Sequence, residues 1–192
     1  MYLRTVSDEE ADGEIAEVYA AEREAMGSVM NATRSLSARP DLIAPVERLL
    51  HQMRDGFSLG LEAFRMITLV VAKHVPSSYC SHVYFRGLTR FVGRDRALAI
   101  QADHRSAGLS ERDVAMLDYA EQIAVDASRI RESDITRLRE VGFSDLEIAD
   151  IAYAAAFRCF LSRYFDAVGA EAEPEFLDED AEVRSRLAVG KP

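Results

Sequence analysis

The stretch from Leu61 to Gly93, LEAFRMITLVVAKHVPSSYCSHVYFRGLTRFVG, limits what this chain can fold into more than any other. From Leu61 to Val75 it is apolar almost all round a helical wheel, through Phe64, Met66, Ile67, Leu69, Val70, Val71 and Ala72, so a helix here must be buried on most sides. Taken alone, Met66 to Val71 also fits a buried strand, since so short an apolar run has no decisive period. The neighbouring segments read as helices and no second strand is available to pair with it, so helix is the better reading. Pro76 ends that helix. Ser77 or Ser78 then caps a successor through Val83, Tyr84, Phe85 and Leu88 to about Phe91, which places Cys80 in its first turn.

The rest of the chain supplies helices to surround this pair. Ser7 with Glu10 forms a capping box ahead of Ile15, Val18 and Tyr19, which predicts a first helix from about Asp8 to Met26. Residues 28–39 show no clear period and read as a connection. Pro40-Asp41 opens a helix with Leu42, Ile43, Val46, Leu49, Leu50 and Met53 on one face, ended by Asp55-Gly56, and Ser58 is placed to cap the next. Residues 94–105 form a short amphipathic piece. Ser110 to Asp113 caps a helix carrying Val114, Leu117, Ala120, Ile123 and Ala124, and Asp134 to Val141 stops at Gly142. Ser144 with Glu147 opens the longest helix, Asp145 to about Val168. Beyond Gly169 the chain turns acidic and reads as a surface arm (about 170–192) with a frayed end. Gly-rich phosphate loops, internal repeats and Asn-Gly hairpin turns are absent from the sequence. The expected class is all-α, as one domain over residues 1–192.

Charge narrows the function. A net charge of −10 over 192 residues, with a pI near 4.9, opposes nucleic-acid or anionic-membrane binding, both of which need clustered Lys and Arg. The N-terminal residues lack a signal-peptide pattern and no apolar run approaches the ~20 residues of a bilayer span, so a cytoplasmic protein with small-molecule or protein partners is expected. Cys80 and Cys159 form no metal-type pair, and His51, His74, His82 and His104 show no His-x-x-x-His spacing. Neither a disulfide framework, a metal site nor a cofactor is expected.

Chemistry, if present, belongs at Cys80. With Ser77 as N-cap, the thiol lies among unpaired backbone N–H groups at the positive end of the helix dipole, where a thiolate is favoured. Tyr84 lies about 40° round the helix and one turn on, within reach of a ligand that touches the sulfur, whereas His82 is rotated by about 200° and points elsewhere. Arg65 is a lone charge among Phe64, Met66 and Ile67. It either supports the thiolate, holds an anion, pairs with Glu62 or snorkels to a boundary. Tyr84, His74, His82 and Cys159 also have plain structural readings as packed or hydrogen-bonded residues.

These residues resemble the AhpD-like, carboxymuconolactone decarboxylase superfamily, in its peroxidase-related branch. That family's centre is a Glu, eleven residues, Cys-x-x-Cys, three residues and a His; the matching positions here are Arg65, Ser77-Ser-Tyr-Cys80 and Tyr84. Further likeness lies in Leu109 to Ala120, Asp134 to Asp145, Ser162 to Gly169 and Pro174 to Phe176, so that it extends from about Thr5 to Phe176. The resemblance implies an all-α fold assembling as a homo-oligomer (dimer, trimer or hexamer), with the cysteine helix near a subunit boundary, and a thiol peroxidase or disulfide reductase role. Ser77 cannot form the CxxC disulfide, and neither Arg65 nor Tyr84 relays protons near neutral pH. Three functions are therefore open. The first is a one-cysteine peroxidase-like enzyme in which Cys80 attacks a hydroperoxide, Arg65 supports the thiolate and an external thiol resolves the sulfenic acid. The second is a non-redox lyase, decarboxylase or isomerase using Arg65 as a carboxylate anchor and Tyr84 as a donor. The third is a non-catalytic ligand-binding oligomer.

Overall fold

In the computed structural model, which describes residues 1–178 and 180–191, the Leu61–Gly93 stretch forms α4 (Gly60–His74) and α5 (Ser78–Val92). Ala63, Phe64 and every residue from Met66 to Ala72 are buried, as an apolar helical wheel requires; Arg65 alone interrupts them. The helix lies against α5, α7 (Glu111–Asp126) and α9 (Asp145–Val168), which close round it to form the centre of the core. No strand is present among the described residues. The fold is all-α.

Around this centre run α1 (Gly13–Met26), α2 (Asn31–Leu36) and α3 (Ile43–Asp55) on one side, and α6 (Arg94–Asp103) and α8 (Glu132–Glu140) against α5 and α7. Several capping assignments hold in atomic detail. Ser77 accepts from the Cys80 amide, Ser110 from that of Asp113, and Ser144 with Glu147 makes a full capping box. Gly142 and Gly169 adopt φ of 93° and 72°, the left-handed region that ends a helix at little cost when the residue is glycine.

Other expectations are corrected. Ser7 and Glu10 do exchange hydrogen bonds, but they close a turn; Gly13, at φ 49°, breaks the path, so α1 starts there rather than at Asp8. Residues 28–39 are not all connection, because α2 forms within them. It escapes apolar periodicity because, beside Leu36, its buried side chains are hydroxyls, with Thr33 donating to Glu22 (2.7 Å) and Ser35 to the Ala32 carbonyl (2.6 Å). Ser58 caps nothing by its side chain; its amide donates to Asp150 instead. On α3 the expected apolar face is partly buried: Ile43 is buried and Val46 and Leu50 pack against the core, but Leu42 and Leu49 are exposed, while Ala44, Glu47, His51 and Arg54 line a cavity. The acidic tail is not a frayed arm. It turns back as α10 (Ala181–Leu187), sets Val183 and Leu187 into the core against α5, and is tied down by Arg94 to Asp178 and by the Gly190 amide to Ser78 Oγ.

Candidate functional site

Beneath α1, α2 and α3 lies a cavity of about 550 Å³ whose other walls come from α4, α5 and α9. Its floor is formed by Tyr84, Arg158 and Arg65, with the Cys80 sulfur behind them. Ser77 fixes the start of α5 through the Cys80 amide (3.5 Å), which sets the sulfur and, one turn on, Tyr84 on the face turned towards α9. From α9, Arg158 reaches across: Nη1 stands 3.5 Å from Cys80 Sγ, and Nη2 donates to the Tyr84 hydroxyl in a short hydrogen bond. Its guanidinium lies 4.4 Å from the centroid of the Tyr84 ring, and that of Arg65, from α4, lies 5.3 Å from the same centroid. Both contacts set a cation on an aromatic ring. Gly87 makes room for Arg65, since a Cβ there would come within 3.2 Å of its Nη1.

The expected site residues are thus partly brought together. Tyr84 and Arg65 line the cavity, but Cys80 is 1% exposed and sits behind Tyr84 and Arg158. Ser77 is fully buried and acts as a cap away from the cavity. The guanidinium expected at the sulfur from Arg65 comes from Arg158 instead, and Arg65 makes no ion pair with Glu62. Cys80 and Cys159 are both free thiols, and burial pushes Cys159 up. His82 is buried outside the cavity, as its rotation on the helix predicts, and His74 approaches Glu121 at 3.6 Å.

Electrostatics distinguish the groups. Burial pushes the Tyr84 phenol up, so it stays protonated at neutral pH. Arg158 is held above the ordinary arginine range: burial opposes its charge, but Tyr84 and Cys80 outweigh it. Arg65 is drawn down by burial, yet a guanidinium keeps its charge at neutral pH. Sequence reasoning missed Glu47, whose carboxyl is pushed up to about 7, first by burial and then by the charge of Glu22. It also missed Arg158, although the same signal that marked Arg65, a lone charge amid Phe157, Cys159 and Phe160, was present.

Among the described residues, one group has metal-like spacing, His104, Asp118 and Glu121, and it lies outside the cavity. Arg105 already bonds both carboxylates, at 2.7 and 2.9 Å, so the cluster is an ion-pair network round a buried histidine.

The arrangement is the all-α AhpD fold, shared with solved proteins described as peroxidase-related. Two solved structures carry that description: one from Ralstonia eutropha JMP134, an alkylhydroperoxidase AhpD core (TM-score 0.84, 22% identity, covering 91% of this chain and 93% of that one), and one from Silicibacter sp. TM1040 (TM-score 0.80, 24% identity, covering 90% and 93%). A third is a cysteine-to-alanine variant of the debrominase Bmp8 in complex with 2,3,4-tribromopyrrole (TM-score 0.78, 19% identity, covering 92% and 94%). No family model matches the sequence, and no curated protein matches it. Among the described residues no helix is long and apolar enough to cross a membrane.

Proposed function

We propose that this protein is a peroxidase-related enzyme with one working cysteine, which reduces a hydroperoxide through Cys80. The observation that carries the reading is the Arg158 guanidinium, 3.5 Å from Cys80 Sγ at the N-terminus of α5. The sulfur attacks the terminal peroxide oxygen, the O–O bond breaks, and the departing alkoxide takes a proton to become an alcohol. Cys80 is left as a sulfenic acid. One external thiol condenses with it, releasing water and forming a mixed disulfide; a second thiol regenerates Cys80 and leaves as the external disulfide. Arg158 holds the sulfur through Nη1, and Tyr84, kept protonated by burial, is a proton donor at the cavity floor.

The test uses a Cys159→Ser background, cumene hydroperoxide at neutral pH and dimedone trapping read by mass spectrometry. Cys80 is expected to carry the sulfenate adduct, and Arg158→Ala to slow its formation roughly tenfold, the effect of losing about 1.4 kcal/mol from a charge-assisted contact. An unmodified Cys80 overturns the reading.

The burial of the sulfur favours a second reading, a non-redox lyase, decarboxylase or isomerase in which Arg65 anchors a carboxylate and Tyr84 donates a proton. Turnover in this cavity would then survive Cys80→Ala and be lost in Arg65→Ala; the opposite pattern excludes it. One fold hosts many reactions, and the likeness to a debrominase as well as to peroxidase-related proteins makes the residue-level test decisive.

A further inference from the structure

The cavity floor holds two guanidinium groups, and among the described residues no carboxylate lies within ion-pair distance of either. Glu14 pairs with Arg48, Glu22 accepts from Thr33 and from the Met30 amide, and Glu47 has His51 as its nearest ionic neighbour at 3.6 Å. Arg158 is 3% exposed, and its Nε, like that of Arg65, meets no hydrogen-bond acceptor among the described residues. Arg158 has the Cys80 sulfur at 3.5 Å, but two cations facing one tyrosine ring with no carboxylate within ion-pair distance remain costly to bury. Glu47 offsets them only in part near neutrality, because a carboxyl pushed up to about 7 is still about half protonated there. The remaining lining includes Val18, Met26, Leu50, Val83, Leu161 and Phe165, an apolar wall suited to a hydrocarbon body.

The geometry points to a carboxylate with an apolar body as the ligand of this cavity, its carboxylate seated on Arg65 and Arg158. This rests on the cavity being the substrate site of the proposed enzyme, and it narrows the hydroperoxide to one carried by an aliphatic or aromatic acid. A planar carboxylate matches the guanidinium fork, and as a monoanion it meets less repulsion from Glu22 and Glu47 than a phosphate dianion would. The cavity volume of about 550 Å³ accommodates a medium-chain acid.

Octanoate is the probe, titrated into the full chain by isothermal calorimetry, with 1-octanol as the uncharged control of equal length. Octanoate is expected to bind one per cavity, at least tenfold tighter than octanol, and Arg158→Ala to weaken it tenfold or more. Arg65→Gln, a change at a partly exposed position that leaves Arg158 in place, provides the same comparison should Arg158→Ala not fold. Equal affinity for octanoate and octanol, unchanged octanoate affinity in Arg65→Gln, or no octanoate binding up to millimolar concentration overturns the inference. Dimedone trapping at Cys80 is independent of these readouts. Trapping without octanoate binding removes the ligand class alone, and binding without trapping removes the peroxidase reading alone.

Discussion

At Glu47 burial outweighs charge. Its carboxyl, from α3, faces Glu22 from α1, Arg158 from α9, Tyr84 from α5 and its own helix neighbours His51 and Arg54, and its side chain is 13% exposed. Burial and Glu22 raise it from the ordinary 4.5 to about 7, against the pull of Arg54 and Arg158. The sign follows directly. Between those two values the native state holds a proton that the unfolded chain has lost, so stability falls as pH rises from 4.5 to 7 and stays reduced above that. The full effect is on the order of 3 kcal/mol. Glu47→Gln removes it: urea unfolding should show a variant more stable than wild type at pH 8, by up to about 3 kcal/mol, and little different at pH 4. Equal stabilities at pH 8 would show that the carboxyl ionises normally. Arg65 was legible as a chemical residue because it stands alone among apolar neighbours. Arg158 has the same signature, but its meaning depends on which residues of α5 it reaches, and sequence spacing does not carry that.

At the scale of elements, helix starts and stops were legible wherever they depend on local chemistry. Ser77, Ser110, Ser144, Gly142 and Gly169 all act at the ends expected of them, because a cap hydrogen bond or a left-handed glycine needs only a few consecutive residues. The errors fall where burial was inferred from periodicity. α2 hides behind hydroxyls, and α3 turns polar residues towards a cavity rather than towards solvent. α10 is the largest departure, since two buried residues, Val183 and Leu187, secure an otherwise acidic tail. Leu187 is fully buried, so Leu187→Ala should cost about 2–5 kcal/mol, read as a lower urea midpoint. Val125→Ala, at an exposed position of α7, should stay within about 0.5 kcal/mol. Equal losses at the two positions would mean that α10 does not pack as described.

The whole molecule leaves one face of its longest helix unpartnered. Leu146, Tyr153 and Phe160, spaced by seven, are 66%, 67% and 50% exposed along α9, and the Phe160 ring lies 5.7 Å from that of Phe157 and 6.5 Å from that of Tyr164. A seven-residue apolar repeat on one helix face suits antiparallel pairing with an identical helix about a two-fold axis, because the same patch then serves both copies. This is the face we propose for the homo-oligomer that the sequence leads us to expect. Light scattering after size exclusion should give a multiple of the 21.4 kDa chain mass, and Tyr153→Glu with Phe160→Glu should return the monomer. A wild-type monomer, or a double variant that stays assembled, rules out this face.

The amino-acid sequence alone determined the helical class, the burial of α4, the cap on α5 and the place of Cys80, because each follows from periodicity or from a few adjacent residues. Only the tertiary structure decided what surrounds the sulfur. Arg158 is far from Cys80 in the chain, and the cavity wall above them is drawn from α1, α2 and α3, so their meeting depends on how whole helices pack. The charge state of Glu47 has the same origin, because burial and a neighbouring carboxylate are properties of the assembled core.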